Sequence, residues 1–184
     1  MGASSVTIID PHYDVPVGGL DRISLPALMS SLRRRFREAD DVLGGDPAYG
    51  FIEVALEVDV DGYVVWSPHF HIVIASYAPA AQIREALEPP RPVPIALMRG
   101  RLKRKPIVVK PVDNLANALA YSSKRIPEAN VATIDRAGKG VRARRRLTEA
   151  EQLEYDRWLC GQRPADRIFK RGMKEVHGKL VPLR

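Results

Sequence analysis

The sequence predicts an α+β fold: a central antiparallel β-sheet flanked by helices, with a C-terminal helical extension. Three observations carry this expectation. Residues 50–59, GFIEVALEVD, alternate strictly, with Ile52, Val54, Leu56 and Val58 on one face. The Asp61-Gly62 turn signal follows, and then a second strand, YVVWSPHFHIVIAS, so the pair reads as a long hairpin. Around it strands and helices alternate irregularly, which favours an antiparallel sheet over a parallel one wound with helices.

The elements follow in order. Val6 to Ile9 is a short β-like piece, set off by Pro11, Pro16, Gly18 and Gly19. Ser24 caps the next segment, with Pro26 in its first turn; apolar residues at 25, 28, 29, 32, 36 and 39 give it helical spacing, and Gly44-Gly45 ends it. After the hairpin, residues 79–88 read as a short helix closed by the proline-rich stretch 89–94. A basic segment, RGRLKRK, leads into a strand, PIVVKPV. Asp113 is placed to cap a helix that runs to Ile126 and stops before Pro127. Residues 128–146 read as a loop rich in Gly, Arg and Lys. Thr148 and Glu151 form a capping box for a helix that Gly161 stops, and PADRIFKRGMK reads as a last basic helical piece. Residues 1–126 then make the main unit, and 127–184 a basic loop and helical extension packed on the same domain.

Composition narrows the function. With 45% hydrophobic and 28% charged residues, the 184-residue chain has the make-up of a globular protein. Lys plus Arg number 29 against 22 Asp plus Glu, a formal charge of +7, which points to a polyanionic partner such as nucleic acid. The lone Cys160 excludes a disulfide framework and a Cys-rich zinc site, and reads as a small buried hydrophobe. No apolar run approaches the roughly 20 residues of a membrane span, and the opening lacks the pattern of a secretory signal. A cytoplasmic, nucleic-acid-facing protein with no membrane partner is expected.

Two of the four histidines, His69 and His71, stand two apart in one strand, so both imidazoles share a face. They read either as two metal ligands or as two imidazoles on a solvated sheet face. Pairing Asp59 with Tyr63 across a three-residue loop sets Glu53 opposite His69 and Phe51 opposite His71, whereas a two-residue loop turns the carboxylates to the wrong face. Two imidazoles and one carboxylate leave coordination positions open, as a catalytic metal requires. Glu53 is the expected third ligand and Glu57 the alternative; either also reads as a solvent-facing salt-bridge partner. His12 and His177 have no evident partner.

On the helix after Asp113, Asn114, Asn117, Lys124 and Arg125 fall within about 60° of Tyr121 at 100° per residue. Leu115, Leu119 and Ile126 gather on the other side. Tyr121 therefore sits on the polar face, with Lys124 one turn on, where a cation can stabilise a phenolate or neutralise a phosphate. Tyr155 is also helical, while Tyr63 and Tyr77 sit at strand ends, where packing is the simpler reading.

Taken together, Glu53, then Pro68-His69-Phe70-His71-Ile72-Val73, then Leu119-Ala120-Tyr121-Ser122-Ser123-Lys124 resemble the HUH endonucleases, and most closely the single-tyrosine rolling-circle replication initiators. The resemblance spans roughly residues 50–126. It implies an HUH/RRM-like palm over residues 1–126 and a site-specific nickase and ligase for single-stranded DNA. In that scheme His69, His71 and Glu53 hold a divalent ion, Mn or Mg. Tyr121 attacks the scissile phosphate, leaving a 5′-phosphotyrosine and a free 3′-OH, and Lys124 assists electrostatically. The tyrosine follows the His motif, as in initiators and transposases and unlike relaxases. The Thr-containing strand that opens the family pattern is faint here, in Val6-Thr7-Ile8-Ile9. No G-x-x-x-x-G-K loop occurs, so a separate helicase is implied as a partner alongside single-stranded DNA, such as an origin hairpin. A single-tyrosine transposase, a DNA-binding relative without nicking, and a structural domain with an incidental His pair are the competing readings.

Basic clusters lie at Arg33-Arg34-Arg35 with Arg37, at 99–105, and at 142–146. Arg99, Arg101, Lys103, Arg104 and Lys105 precede the strand that feeds the tyrosine helix, so they are best placed for phosphate contacts. Each of the three clusters, taken separately, reads first as solvated surface. Trp66 and Phe70 flank the His pair; they read as core, with base stacking as the alternative.

Overall fold

The computed structural model describes residues 2–88, 106–122, 128–177 and 179–183. Its N-terminal half runs β1 (Ser4–Ile9), β2 (Val15–Pro16), α1 (Leu25–Glu38), α2 (Asp40–Leu43), β3 (Ala48–Val58), β4 (Val64–Ile74) and α3 (Ala80–Ala86). Then come β5 (Ile107–Pro111), α4 (Leu115–Ser122), β6 (Ala129–Ile134), β7 (Gly140–Arg145), α5 (Glu149–Cys160), β8 (Ile168–Arg171), β9 (Met173–Val176) and β10 (Lys179–Pro182). The fold is α+β, as the sequence predicts. Eight strands form one curled mixed sheet in the order β5-β1-β4-β3-β6-β7, with β2 beside β4 and β8 beside β3. All of its pairs are antiparallel except β3 with β6. Among the described residues no helix is long and apolar enough to cross a membrane.

The central hairpin is set by its turn. Asp59 N–H donates to the Tyr63 carbonyl (3.0 Å) and Gly62 N–H to the Asp59 carbonyl (3.1 Å). Asp59 Oδ1 accepts from the N–H groups of Asp61 (3.0 Å) and Tyr63 (2.9 Å). Gly62 takes φ 78°, the left-handed conformation that closes a three-residue loop. The resulting register pairs Glu53 with His69 and Phe51 with His71. This is the pairing expected from the three-residue loop.

One sheet face builds the core. Val6 and Ile8 of β1, Ile52, Val54 and Leu56 of β3, and Trp66, Phe70 and Ile72 of β4 are buried there. Against them α1 sets Leu25, Leu28, Met29, Leu32 and Phe36, α3 adds Ile83, α5 adds Tyr155 and Trp158, and β8 adds Phe169. Phe36 and Phe169 meet at 4.8 Å between ring centroids, and Trp66 and Tyr155 at 6.0 Å. Each large apolar side chain of α1 contributes about 2 kcal/mol of transfer free energy, an upper estimate. Ser24 caps this helix through its hydroxyl, as expected. Arg35, however, is no surface residue: it lies beside the apolar stripe, buried and ion-paired with Asp10. His12 Nδ1 stands 2.8 Å from the other Asp10 oxygen, so His12 has a partner the sequence did not reveal. Glu154 of α5 accepts from Gly18 N–H (2.9 Å), Leu20 N–H (2.9 Å) and the Trp66 indole (2.9 Å), tying the 15–22 segment and β4 to α5.

Four local expectations need correction. Residues 129–145 form a hairpin, β6–β7, and not a loop. Its turn repeats the chemistry of the first: Asp135 N–H donates to Lys139 O (2.9 Å), Gly138 N–H to Asp135 O (3.0 Å), and Gly138 has φ 77°. The expected last helix is a 3-10 turn over Pro164–Arg167 followed by strands β8 and β9, because Phe169 buries against Phe36 and Gly172 (φ 60°) breaks the segment. Asn114 caps α4, accepting from Asn117 N–H (3.0 Å), in place of Asp113. Cys160 is exposed at the end of α5. The segment after residue 126 supplies β6, β7 and β8 to the one large sheet and α5 to the core.

The Thr148–Glu151 capping box forms as the sequence predicts. Glu151 also accepts two hydrogen bonds from Arg145, both 2.7 Å. The Arg145 guanidinium holds the Glu151 carboxyl down at about 2, with help from Thr148 and against the cost of burial. A pKa lowered by folding stabilises the protein above the ordinary carboxyl value and is lost as pH falls from 4.5 through about 2. We therefore expect Glu151→Gln to cost about 1–3 kcal/mol at neutral pH in urea unfolding, and much less at pH 3 and below. A variant as stable as the parent at pH 7 would contradict this.

Candidate functional site

The sheet face opposite the core carries the polar residues of β3 and β4. Alternation along β4 gives it Ser67, His69 and His71; alternation along β3 gives it Glu53, Ala55 and Glu57. His71 Nε2 lies 3.0 Å from Glu53 Oε2, and His69 Nε2 lies 3.5 Å from Glu57 Oε1. The two rings stand 6.0 Å apart between centroids. His69, His71 and Glu57 are 6%, 7% and 4% exposed, so neither the imidazoles nor Glu57 form a solvated surface. The geometry explains how Glu57 reaches His69 along the strand. The pair between them is Ala55 opposite Ser67, two small residues that leave room for the longer side chains.

Both glutamates therefore belong to the site. Glu53 stands opposite His69 in the ladder, but its side chain takes the diagonal to His71, and Glu57 meets His69. Two further residues were not expected. Thr7 of β1 pairs with His71, and its Oγ1 lies 3.2 Å from His71 Nδ1. Asn130 of β6 donates from Nδ2 to Glu57 Oε1 at 2.8 Å. Thr7 had a sequence signal, a hydroxyl within the apolar run Val6 to Ile9. Asn130 had none.

The Thr7 hydroxyl suits either tautomer of His71 because it both donates and accepts. It donates to Nδ1 when Nε2–H points at Glu53, and accepts from Nδ1–H when Nε2 is a bare lone pair. The second state is the one a metal ligand needs, with its other nitrogen oriented by a neighbour. Two imidazole nitrogens and two carboxylates form a donor set that fits a divalent ion of the Mn class. In the present arrangement they form two His–Glu pairs, and among the described residues no three such side chains are gathered into a ready metal cage.

The tyrosines sort clearly. Tyr155 is buried against Trp66 and Trp158, and burial pushes its phenol above the ordinary value. Tyr63 and Tyr77 are exposed, contrary to the packing expected for them. Tyr121 lies in the last turn of α4, which sits against β3 and β4. Among the described residues no α4 side chain belongs to the core cluster on the other side of those strands. Leu115, expected in the buried stripe of this helix, is 54% exposed. Trp66 and Phe70 point into the core and are not available for stacking. Lys124, Arg99, Arg101, Lys103, Arg104 and Lys105 lie outside the described residues. Comparison with protein-family models, curated proteins and solved structures found no match.

The site also depends on a close approach of backbones. A Cβ at Gly50 would sit 2.3 Å from the His71 carbonyl oxygen and 2.8 Å from Ile72 Cα. Gly50→Ala must push β3 away from β4 beside the Glu53–His71 contact. Overpacking of this kind costs about 1–3 kcal/mol. Urea unfolding should show a loss in that range or above it; a change below about 0.5 kcal/mol would contradict the close approach.

Proposed function

We propose that the protein is a metal-dependent HUH-type endonuclease that nicks and rejoins single-stranded DNA through Tyr121, in the manner of a rolling-circle initiator. One observation carries the reading. His69, His71, Glu53 and Glu57 share one sheet face, and the helix that bears Tyr121 lies against the same two strands. The nearest counterpart of the family's Thr-containing strand, Val6 to Ile9, runs beside the His strand with Thr7 on His71, which supports the resemblance.

Electrostatics argue for a cation in the reaction. Two carboxylates repel an incoming phosphate by about 3 kcal/mol each at about 6 Å and an effective dielectric of 20. His69, His71 and Glu53, with Glu57 beside them, would hold a divalent ion, which would offset that repulsion and polarise the phosphate. Thr7 orients His71, and Asn130 orients Glu57. Tyr121 attacks phosphorus, the new P–O bond replaces the bond to the 3′ oxygen, and the proton lost by the phenol is balanced by the one the 3′ oxygen takes up. The ester energy is retained, so the same step run backwards joins strands. A phenol with a reference pKa of about 10 is a weak nucleophile at neutral pH, and a Lys124 cation lowers the cost of forming the phenolate. The substrate must reach the site already single-stranded, through a separate helicase or an extruded hairpin.

The separate His–Glu pairs also favour a second reading, a DNA-binding relative in which both pairs are structural. One experiment distinguishes them: incubation with single-stranded oligonucleotides and Mn, followed by a denaturing gel. We expect a covalent adduct whose nucleotide maps to Tyr121. Tyr121→Phe should remove it while DNA binding survives, and His71→Ala should reduce it by more than about 100-fold. DNA binding with no adduct under Mn or Mg would favour the second reading, and an adduct on another tyrosine would overturn the nucleophile.

A further inference from the structure

We propose that the DNA strand is held at the two ends of the histidine row, by the β6–β7 ribbon and by an aromatic pair, Tyr49 and Phe51, on either side of the buried His–Glu pairs; this path rests on the nuclease reading of that face. The argument is one of register. Asn130 shares the side of Glu57, to which its amide donates. Cross-strand partners share a face, so Arg144, opposite Asn130, and Arg142, opposite Ala132, continue the Glu57 row outward. The β3–β6 ladder covers only Ala129–Val131, so beyond Val131 the ribbon has only its own two strands. Arg142 and Arg144 are both exposed on it. Arg144 meets Glu128 at 3.0 Å, with side chains 56% and 48% exposed, and an ion pair that open to water exchanges readily for a phosphate.

The other end of the row is aromatic. Tyr49 and Phe51 alternate with Glu53 on the same side of β3, and Phe51 is opposite His71. Their rings meet edge to face, 5.2 Å between centroids at 89°, and both side chains are partly open to solvent. Lys170 of β8, exposed, is opposite Tyr49. The face therefore reads, in order, arginines, the Glu57–His69 pair, the Glu53–His71 pair, two aromatic rings and a lysine. From Tyr49 to Glu57 the row runs about 26 Å at about 3.3 Å per residue of β3, the length of about eight nucleotides at stacked spacing. Guanidinium groups fit phosphates, and rings fit the faces of unstacked bases, which a duplex does not offer. The occupant that matches both, on a chain of net charge +7, is single-stranded DNA.

The test uses the full chain without divalent ions and a fluorescein-labelled mixed-sequence 20-mer, with anisotropy followed across a salt series. Arg142→Gln with Arg144→Gln should lower the logarithmic salt slope by about 1.4, two contacts at about 0.7 each. Tyr49→Leu with Phe51→Leu should weaken binding at least about fivefold and leave the slope unchanged. Photocrosslinking of a 5-iodouracil-substituted 20-mer should map to Tyr49 or Phe51. The path requires all three results; the absence of any one, or equal affinity for the matching duplex, overturns it. An adduct on Tyr121 with these affinities unchanged would overturn the path and leave the nuclease standing. Intact path effects with no adduct under Mn or Mg would do the reverse.

Discussion

The three-residue turn between Asp59 and Tyr63 holds the register on which the candidate site depends. Side chains alternate faces with a period of two, so a slip of one residue would turn Glu53 and Glu57 into the core and leave the histidines against apolar neighbours. The turn resists that slip with two backbone hydrogen bonds, two more to the Asp59 carboxylate, and a glycine in the left-handed region. Gly50 adds a second constraint further along the ladder, because the β4 backbone occupies the place of its missing Cβ. The hairpin is thus fixed at its turn and near its far end, and the histidine–glutamate row lies between.

The row itself is expensive. Burying charged or hydrogen-bonding groups costs several kcal/mol unless each is partnered. Here the partners come from strands distant in sequence: Thr7 from β1 and Asn130 from β6. A purely structural sheet could fill this face with valines at lower cost, as Val65 and Val73 do on the same side of β4. Placing two imidazoles and two carboxylates between those valines makes sense where the site binds something that repays the cost. The same logic separates this face from Asp10 and Arg35, which neutralise each other at the edge of the core.

What the sequence revealed follows from how each element is stabilised. The hairpin was legible because β3 has one apolar face and its turn residues are Asp, Asp and Gly. The β6–β7 hairpin has the same Asp-x-x-Gly turn, at Asp135 and Gly138, but β7 alternates over only four residues, with Val141 and Ala143 as its sole apolar side chains inside a stretch rich in Gly, Arg and Lys, so it read as a loop. Arg35 looked like one more member of a basic run, because its counter-ion lies on another element. Glu57 was legible as a site residue by its face. Its pairing with His69 was not, because the reach past Ala55 and Ser67 depends on side-chain size as well as on strand register. The cap of α4 fell to Asn114, one residue beyond Asp113, a difference that local sequence does not decide.

The central claim is that His69 and His71, out of four histidines, form a divalent-ion site. Imidazole resonances of the ¹⁵N-histidine-labelled protein, followed during a substoichiometric Mn titration, test it most directly. Paramagnetic broadening should remove the signals of His69 and His71 first and together, while His12, held by Asp10, and His177, in the β9–β10 turn, persist. Equal broadening of all four, or His12 or His177 fading before the strand pair, would contradict the claim.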